Sequence, residues 1–496
     1  MSADLLFYIY AAISWVLFLY AFNFYYLLYR SSRYKRPLST GSADTDLPSV
    51  TVQLPIFNER YVANRLIASV CAFDYPKDRL QIQVLDDSTD LTRDLSQDQV
   101  NYWKRQGFMI EYLHRSTRSG FKAGALRHGL EKANGEFIAI FDADFLPPRN
   151  FLRQAVTRFN GRDVGLIQAR WSHLNQDYST LTRAQALNLD LHFLIEQRAR
   201  SGCELFMNFN GTAGIWRKEC IIDAGGWQDA LAEDLDLSYR AQLRGWRLVF
   251  LDDISCPAEL PVQVNAAKRQ HFRWAKGAGE CTVRLIGQMA RAELGLKTKL
   301  QASLQLTRHV VHPLLILQFL LLPLLMTMRY DIFPVTAIVS QLLLGPIIYI
   351  FALHRFWGKE SFRKLGDYTL LMLFSSGISL NNAVGFIEGL LGRKGPFLRT
   401  PKFAVQSDRD NWKDKDYVLQ FPKLTLLELL LAVYGCVGIF AAIFSRNFLY
   451  LPYLLLATSG FVYIVSMTFK HSLKLGMTQE KEEGEKLYAL GNLGHE

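Results

Sequence analysis

No two of the six cysteines form a CxxC pair: Cys71, Cys203, Cys220, Cys256, Cys281 and Cys436 are scattered along the chain. That spacing argues against a zinc module or a disulfide framework and leaves reduced, mostly buried thiols. Also missing is any clustered aromatic and basic motif of the nucleic-acid-binding kind, although the formal net charge is +10. Nucleic acid is therefore not an expected partner. Basic loops beside membrane spans account for the surplus. Charge is absent altogether from residues 5–29, LLFYIYAAISWVLFLYAFNFYYLLY, enough for one tilted helix across a hydrocarbon core of ~30 Å. With no basic segment before it and no small-residue cleavage site after it, this run reads as a span rather than a secretory signal. Arg30, Arg33, Lys35 and Arg36 follow at once, which places residue 30 onward in the cytoplasm and the N-terminus outside.

What is present divides the 496 residues into unlike parts. Hydrophobic residues make up 50% and aromatics 13%, yet 21% are charged, a mixture that fits a soluble unit joined to membrane helices. From about 49 to 260, short β-branched runs alternate with amphipathic stretches, as in a soluble α/β domain. The strands expected are 49–56, 81–87, 109–115, 137–144 and 164–171. Ligands bind outside the carboxyl ends of strands in such sheets, so Asp86, Asp87, Asp142 and Asp144 should converge on one crevice. Apolar runs return at 309–328, 332–354, 424–444 and 447–468. A further run, 367–391, contains Asn381, Asn382 and Glu388 and is read as a helix lying in the interface. Only that reading keeps the basic loop GRKGPFLRTPK cytoplasmic, so five spans are expected. The domain boundaries that follow are 1–36 (first span and basic flank), 37–260 (cytosolic α/β domain), 261–300 (interface helices), 301–470 (spans, with a loop at 393–423) and a tail at 471–496.

Four short stretches carry the chemistry. DAD at 142–144 sets two carboxylates at a strand end, where a divalent metal could be held, although two acids in a solvated turn would look the same. LDDS at 85–88 repeats the strand-then-acid pattern, so the crevice suits a metal or a hydroxyl-rich ligand. LAEDLDL at 231–237 opens a helix. Glu233 and Asp234 there either complement the helix dipole or supply a base for an attacking hydroxyl, and the spacing does not choose between them. Lastly, KRQHFRWAKGAG at 268–279 puts Gln270, Arg273 and Trp274 on one helix face. By themselves an Arg and a Trp so placed make a cation–π or snorkelling pair at a membrane boundary.

Taken in order, LDDS, DAD, ED and QHFRW resemble the D, DxD, TED and QxxRW series of the processive family 2 glycosyltransferases, the cellulose synthase superfamily. The resemblance runs from LPIFNER at 54–60 through the last spans. FNGTAGIWR (209–217), GGWQDALAEDLDLSYRAQLRGW (225–246) and AELPVQVNAAKRQHFRWAKG (258–277) look most like the mannan-synthase-like (cellulose synthase-like A) and related bacterial members. FLRTPK at 397–402 is similar to the gating loop FxVTxK of cellulose synthases, which would make Phe397, Arg399, Thr400 and Lys402 gating residues.

The resemblance implies an α/β GT-A domain with a Rossmann-like mixed sheet, inserted between transmembrane helices and bordered by amphipathic interface helices. It implies a nucleotide diphosphate sugar donor, UDP-glucose or GDP-mannose, and Mg²⁺ or Mn²⁺ held by Asp142 and Asp144. Asp86 or Asp87 would contact the nucleotide, and Lys122 the diphosphate. Gln270 and Arg273 would face the diphosphate, and Trp274 would stack under the acceptor sugar near Asn210, Gly211 and Thr212. Asp234, beside Glu233, would be the general base of one inverting displacement. Two departures stand out: Ala232 replaces the threonine of TED, so that a hydroxyl contact near the base is either absent or supplied elsewhere, with Thr212 a candidate, and Arg399 replaces the usual valine. No cyclic-dinucleotide receptor follows, so regulation by that route is not expected. The product implied is a β-linked glucan or mannan, extended on a glycan acceptor and translocated through a bacterial plasma membrane or a Golgi-like one, with membrane lipid around the spans. A glycolipid synthase acting on a lipid acceptor is the alternative. A transporter with a nucleotide-binding regulatory domain fits less well, because the spans lack charges along a solute path.

Overall fold

β1 (Val50–Ile56), β2 (Leu80–Asp86), β3 (Met109–His114), β4 (Phe137–Ile140) and β5 (Val164–His173) form where buried apolar runs predict strands. The structure is a computed structural model that describes residues 3–35, 47–328, 344–393, 395, 398–407 and 409–492. Two further strands, β6 (Gly214–Arg217) and β7 (Arg247–Ala258), complete a seven-stranded sheet of order β3-β2-β1-β4-β6-β5-β7. β6 runs antiparallel to both its neighbours, whereas the other pairs are parallel. Side chains alternate between the two faces with period two: Phe137 and Ala139 join one apolar core, Ile138 and Ile140 the other. β4 stops at Ile140, short of the strand end expected at 144, so DAD lies in the turn beyond it. Because β6 is antiparallel, its preceding loop 210–213 meets that turn: Asp142 N donates to Thr212 Oγ1 at 2.9 Å.

Among the described residues, four helices are long and apolar enough to cross a membrane: Asp4–Ser31, Arg308–Thr327, Thr425–Phe444 and Phe448–Ser472. They coincide with four of the five expected spans. Most of the fifth, 332–354, lies outside the described residues. In Thr425–Phe444 the usual inside-out rule is reversed. Leu427, Leu430, Val433, Val437, Phe440 and Phe444 are exposed, whereas the small residues Ala432, Gly435, Gly438 and Ala442 pack inward. Large residues outward and small ones at helix contacts is the pattern of a helix solvated by lipid. The run 367–391 is not one helix: Ser361–Gly377 and Ser379–Leu390 meet at Ile378, and the bend there is 48°.

The QHFRW motif lies on the 28-residue helix Val264–Arg291. This helix packs on Ser379–Leu390 at backbone distance, because a Cβ on Gly389 would stand 2.1 Å from Lys276 O and one on Gly279 2.5 Å from Phe386 O. At its N-terminal end, Lys268 Nζ pairs with Glu428 Oε2 at 2.6 Å, both buried, and so ties the motif helix to the span Thr425–Phe444.

Candidate active site

The carboxyl ends of β1, β2 and β4 open into a cavity of about 190 Å³. Its wall includes Asp87, Lys122, Asp142, Asp144, Glu233 and Asp234 from the sheet domain, and Gln270, Arg273 and Trp274 from the motif helix. Arg399, Thr400 and Lys402 close it from the loop side. The sequence motifs, up to 315 residues apart, are thus brought together on one site. Phe397 lies outside the described residues.

Lysines hold the acids apart. Lys122 Nζ lies 2.5 Å from Asp142 Oδ1 and 3.6 Å from Glu233 Oε1, and donates to Gly211 O at 2.9 Å. Lys402 Nζ lies 2.7 Å from Asp144 Oδ2 and donates to Glu259 O. Gly211 makes the close approach possible: its φ is +83°, and a Cβ there would lie 3.2 Å from Asp234 Oδ2 and 3.4 Å from Lys122 Nζ. Burial raises the Asp142 carboxyl in spite of Lys122. Burial likewise raises Asp234, and takes Glu233 to about 7. Opposite the acids stands a group of cations. Arg118 lies over the Phe57 ring at 3.3 Å, and burial, with Arg115, Arg399 and Arg273 nearby, lowers it to about 10. Arg269 is lowered by burial and by Arg399 and Arg273. Guanidinium groups crowded until they repel one another form a site that an anion would relieve.

Two expected residues do not face the cavity. Asp86 is fully buried, accepting from Ser88 N and Tyr112 OH, each at 2.8 Å, so of the two candidates Asp87 is the one at the wall. Adjacent residues at a strand end point to opposite sides, and only one can reach the ligand. Asp87 is itself held by Arg115, whose Nε donates to Oδ1 at 2.8 Å. Thr212 is also fully buried behind Asp142, so it neither reaches an acceptor nor replaces the hydroxyl missing at Ala232. Sequence reasoning missed Glu59, which burial, against the pull of Arg399, pushes up to about 8, and also Arg118 and Arg269. Glu59 stands three residues past the end of β1, the same strand-then-acid signal that picked out Asp87.

A second cavity, of about 260 Å³, shares Asn210, Asp234 and Trp274 with the first. Its wall continues to Phe24, His309, His312, Ser375 and Asn382, which belong to the apolar helices and the bent pair. The Trp274 indole stands at the junction, with the His271 ring edge-on at 4.9 Å.

Comparison with known proteins agrees with this geometry. Residues 48–277 match the family described as glycosyltransferase like family 2. Glucomannan 4-beta-mannosyltransferase 9 of Arabidopsis thaliana is 34% identical over 422 residues, covering 82% of this chain and 78% of the relative. Glucomannan 4-beta-mannosyltransferase 2 of the same plant is 42% identical over 253 residues, 50% of this chain and 47% of its own. Among solved structures, a mannosyltransferase from Pyrobaculum calidifontis in complex with GDP-Man and Mn²⁺ matches in fold. Its TM-score is 0.52 at 20% identity, over 78% of this chain and 100% of that one. With the GT-A sheet, the motifs on one cavity and these relatives together, the chain belongs to the family 2 glycosyltransferases of the cellulose synthase superfamily.

Proposed function

We propose that the protein transfers mannose from GDP-mannose to the end of a β-linked mannan or glucomannan and passes the product out between its own membrane helices. One observation carries this: the cavity of acids and cations meets a second cavity at Asp234 and Trp274, and the second is walled in part by the apolar helices. The names of the plant relatives support mannose as the sugar and a glycan as the acceptor. Arg118, Arg273 and Arg399 bind the donor diphosphate, and Asp87 sits on the nucleotide side. Asp234 takes the proton of the acceptor hydroxyl as that oxygen attacks the anomeric carbon from the face opposite the leaving nucleotide. The catalytic domain faces the cytoplasm in this reading.

Asp142 and Asp144 fit a divalent cation, since both present hard carboxylate oxygens to the cavity. Among the described residues no three His, Cys, Asp or Glu side chains group as a metal site. Asp142 and Asp144 would hold such a cation, which would supply positive charge to stabilise the leaving nucleotide.

The acid limb of the pH profile follows from burial of the pair. Asp234 serves as a base only when ionised, and burial raises both its pKa and that of Glu233. Activity is lost as pH falls through the raised values, so kcat/KM should drop above the ~4 of an ordinary carboxylate. Glu233→Gln removes the neighbouring negative charge and should move the limb to lower pH. A limb unmoved by that substitution, measured at saturating metal, excludes the pair as its source.

Product size tests polymer against lipid acceptors. Trp274→Ala removes a stacking surface worth ~0.5–1.5 kcal/mol by analogy with aromatic pairs. A chain-extending enzyme uses that surface after every addition, so the variant's product should be shorter as well as scarcer, with donor KM unchanged. A wild-type product of one or two sugars on lipid sinks the polymer reading and favours the glycolipid synthase.

A further inference from the structure

His192–Gln197 forms a π-helical turn between the helices Thr180–Leu191 and Arg198–Gly202. Such turns are rare and recur at functional sites. Here the wide turn directs three polar side chains toward Asn210, which lines both cavities beside Asp234. Every orientation in the group follows from one backbone carbonyl. Gln197 Nε2 donates to Asn208 O at 2.9 Å, which fixes its amide, and the same nitrogen donates to Asn210 Oδ1 at 2.5 Å. Asn210 Nδ2 therefore points the other way, 3.0 Å from His192 Nε2. An amide nitrogen only donates, so Nε2 accepts, and the imidazole proton resides on Nδ1. That proton goes to Glu196 Oε2 at 2.9 Å, with Arg308 Nη1 3.5 Å from the same oxygen. Glu196 stays ionised: burial works to raise its carboxyl, but His192 and Arg308 hold it below the usual range.

An Asn210 amide gripped at both ends still has a second N–H, and its side chain lies on the cavity wall. We propose that Glu196 and His192 are positioning residues, which hold the Asn210 carboxamide so that this N–H donates to an acceptor hydroxyl next to the attacking one. The inference rests on the reading of the Asp234 side as the acceptor site. Glu196 selects the imidazole tautomer and the imidazole sets the amide. Neither His192 nor Glu196 needs to exchange a proton during transfer.

The test is a double-mutant cycle on the full-length protein in detergent, with GDP-mannose and a soluble β-1,4-manno-oligosaccharide as acceptor. H192F and N210A should each raise acceptor KM about tenfold, the scale of one hydrogen bond lost, with donor KM unchanged. Because His192 acts through Asn210, H192F/N210A should match N210A alone within about twofold. H192Q can accept from Asn210 and donate to Glu196, so it should recover most of the loss. Should H192F fail to fold, E196A takes its place in the cycle. Losses that multiply in the double variant, or a donor KM that rises with acceptor KM, overturn the inference alone. A wild type that moves no sugar to any glycan overturns the reading of the site, and the inference with it.

Discussion

Asp234→Asn should leave donor binding intact and cut sugar transfer by ~10²- to 10⁴-fold, the usual contribution of a general base. The substitution is nearly isosteric. Its remaining oxygen can still accept from Leu235 N, now 2.8 Å away, and the space kept open by Gly211 is unchanged. What disappears is the negative charge facing the acceptor hydroxyl. In the proposed function donor binding relies on the arginines, and so should not notice. Displacement of a labelled nucleotide beside a transfer assay separates the two. Activity within a few-fold of wild type would move the base to Glu233, which stands next in line on Lys122.

Asp144→Asn should abolish turnover for a different reason and with a different signature. Asp144 is one of the two carboxylates assigned to the cation in the proposed function. Its loss should remove the Mn²⁺-dependent part of GDP binding while leaving the metal-independent part, which the arginines supply. Lys402 would keep its hydrogen bond to Glu259 O, so the loop 398–402 retains an anchor. The measurement is GDP affinity with and without Mn²⁺, for wild type and variant. Equal metal enhancement in both would remove Asp144 from the metal site.

How much of this was readable beforehand depended on whether the deciding forces were local. β1, β2, β3 and β5 were legible nearly to the residue, because β-branched and other apolar residues recur along each of these short runs. β6 was not, since GIWR has only four residues and owes its strand geometry to neighbours β4 and β5. β7 hides its pattern behind Asp252, Asp253 and Pro257. In the site, residue types and motif order located the crevice, but not which of two adjacent acids turned inward. Asp86 and Asp87 differ only in the strand face they occupy, and that is set by pairing with β1 and β3. Thr212 was misplaced for the same reason: its hydroxyl is claimed by the Asp142 backbone, a partner 70 residues away that no local pattern announces. The run 367–391 has a composition that suits lipid boundary or span, and the bend at Ile378 is fixed by packing.

The glycine contacts between Val264–Arg291 and Ser379–Leu390 bear on how a product could move. Where the two backbones touch, at Gly279 and Gly389, no side-chain rotamer lies between them, and the Lys276–Glu388 ion pair at 3.0 Å adds a second tie. Trp274 and Arg273 are therefore mounted on a single rigid block that includes both helices. Under the proposed function, a sugar chain advancing past the indole would travel along a wall that stays still, like a rod through a fixed bearing.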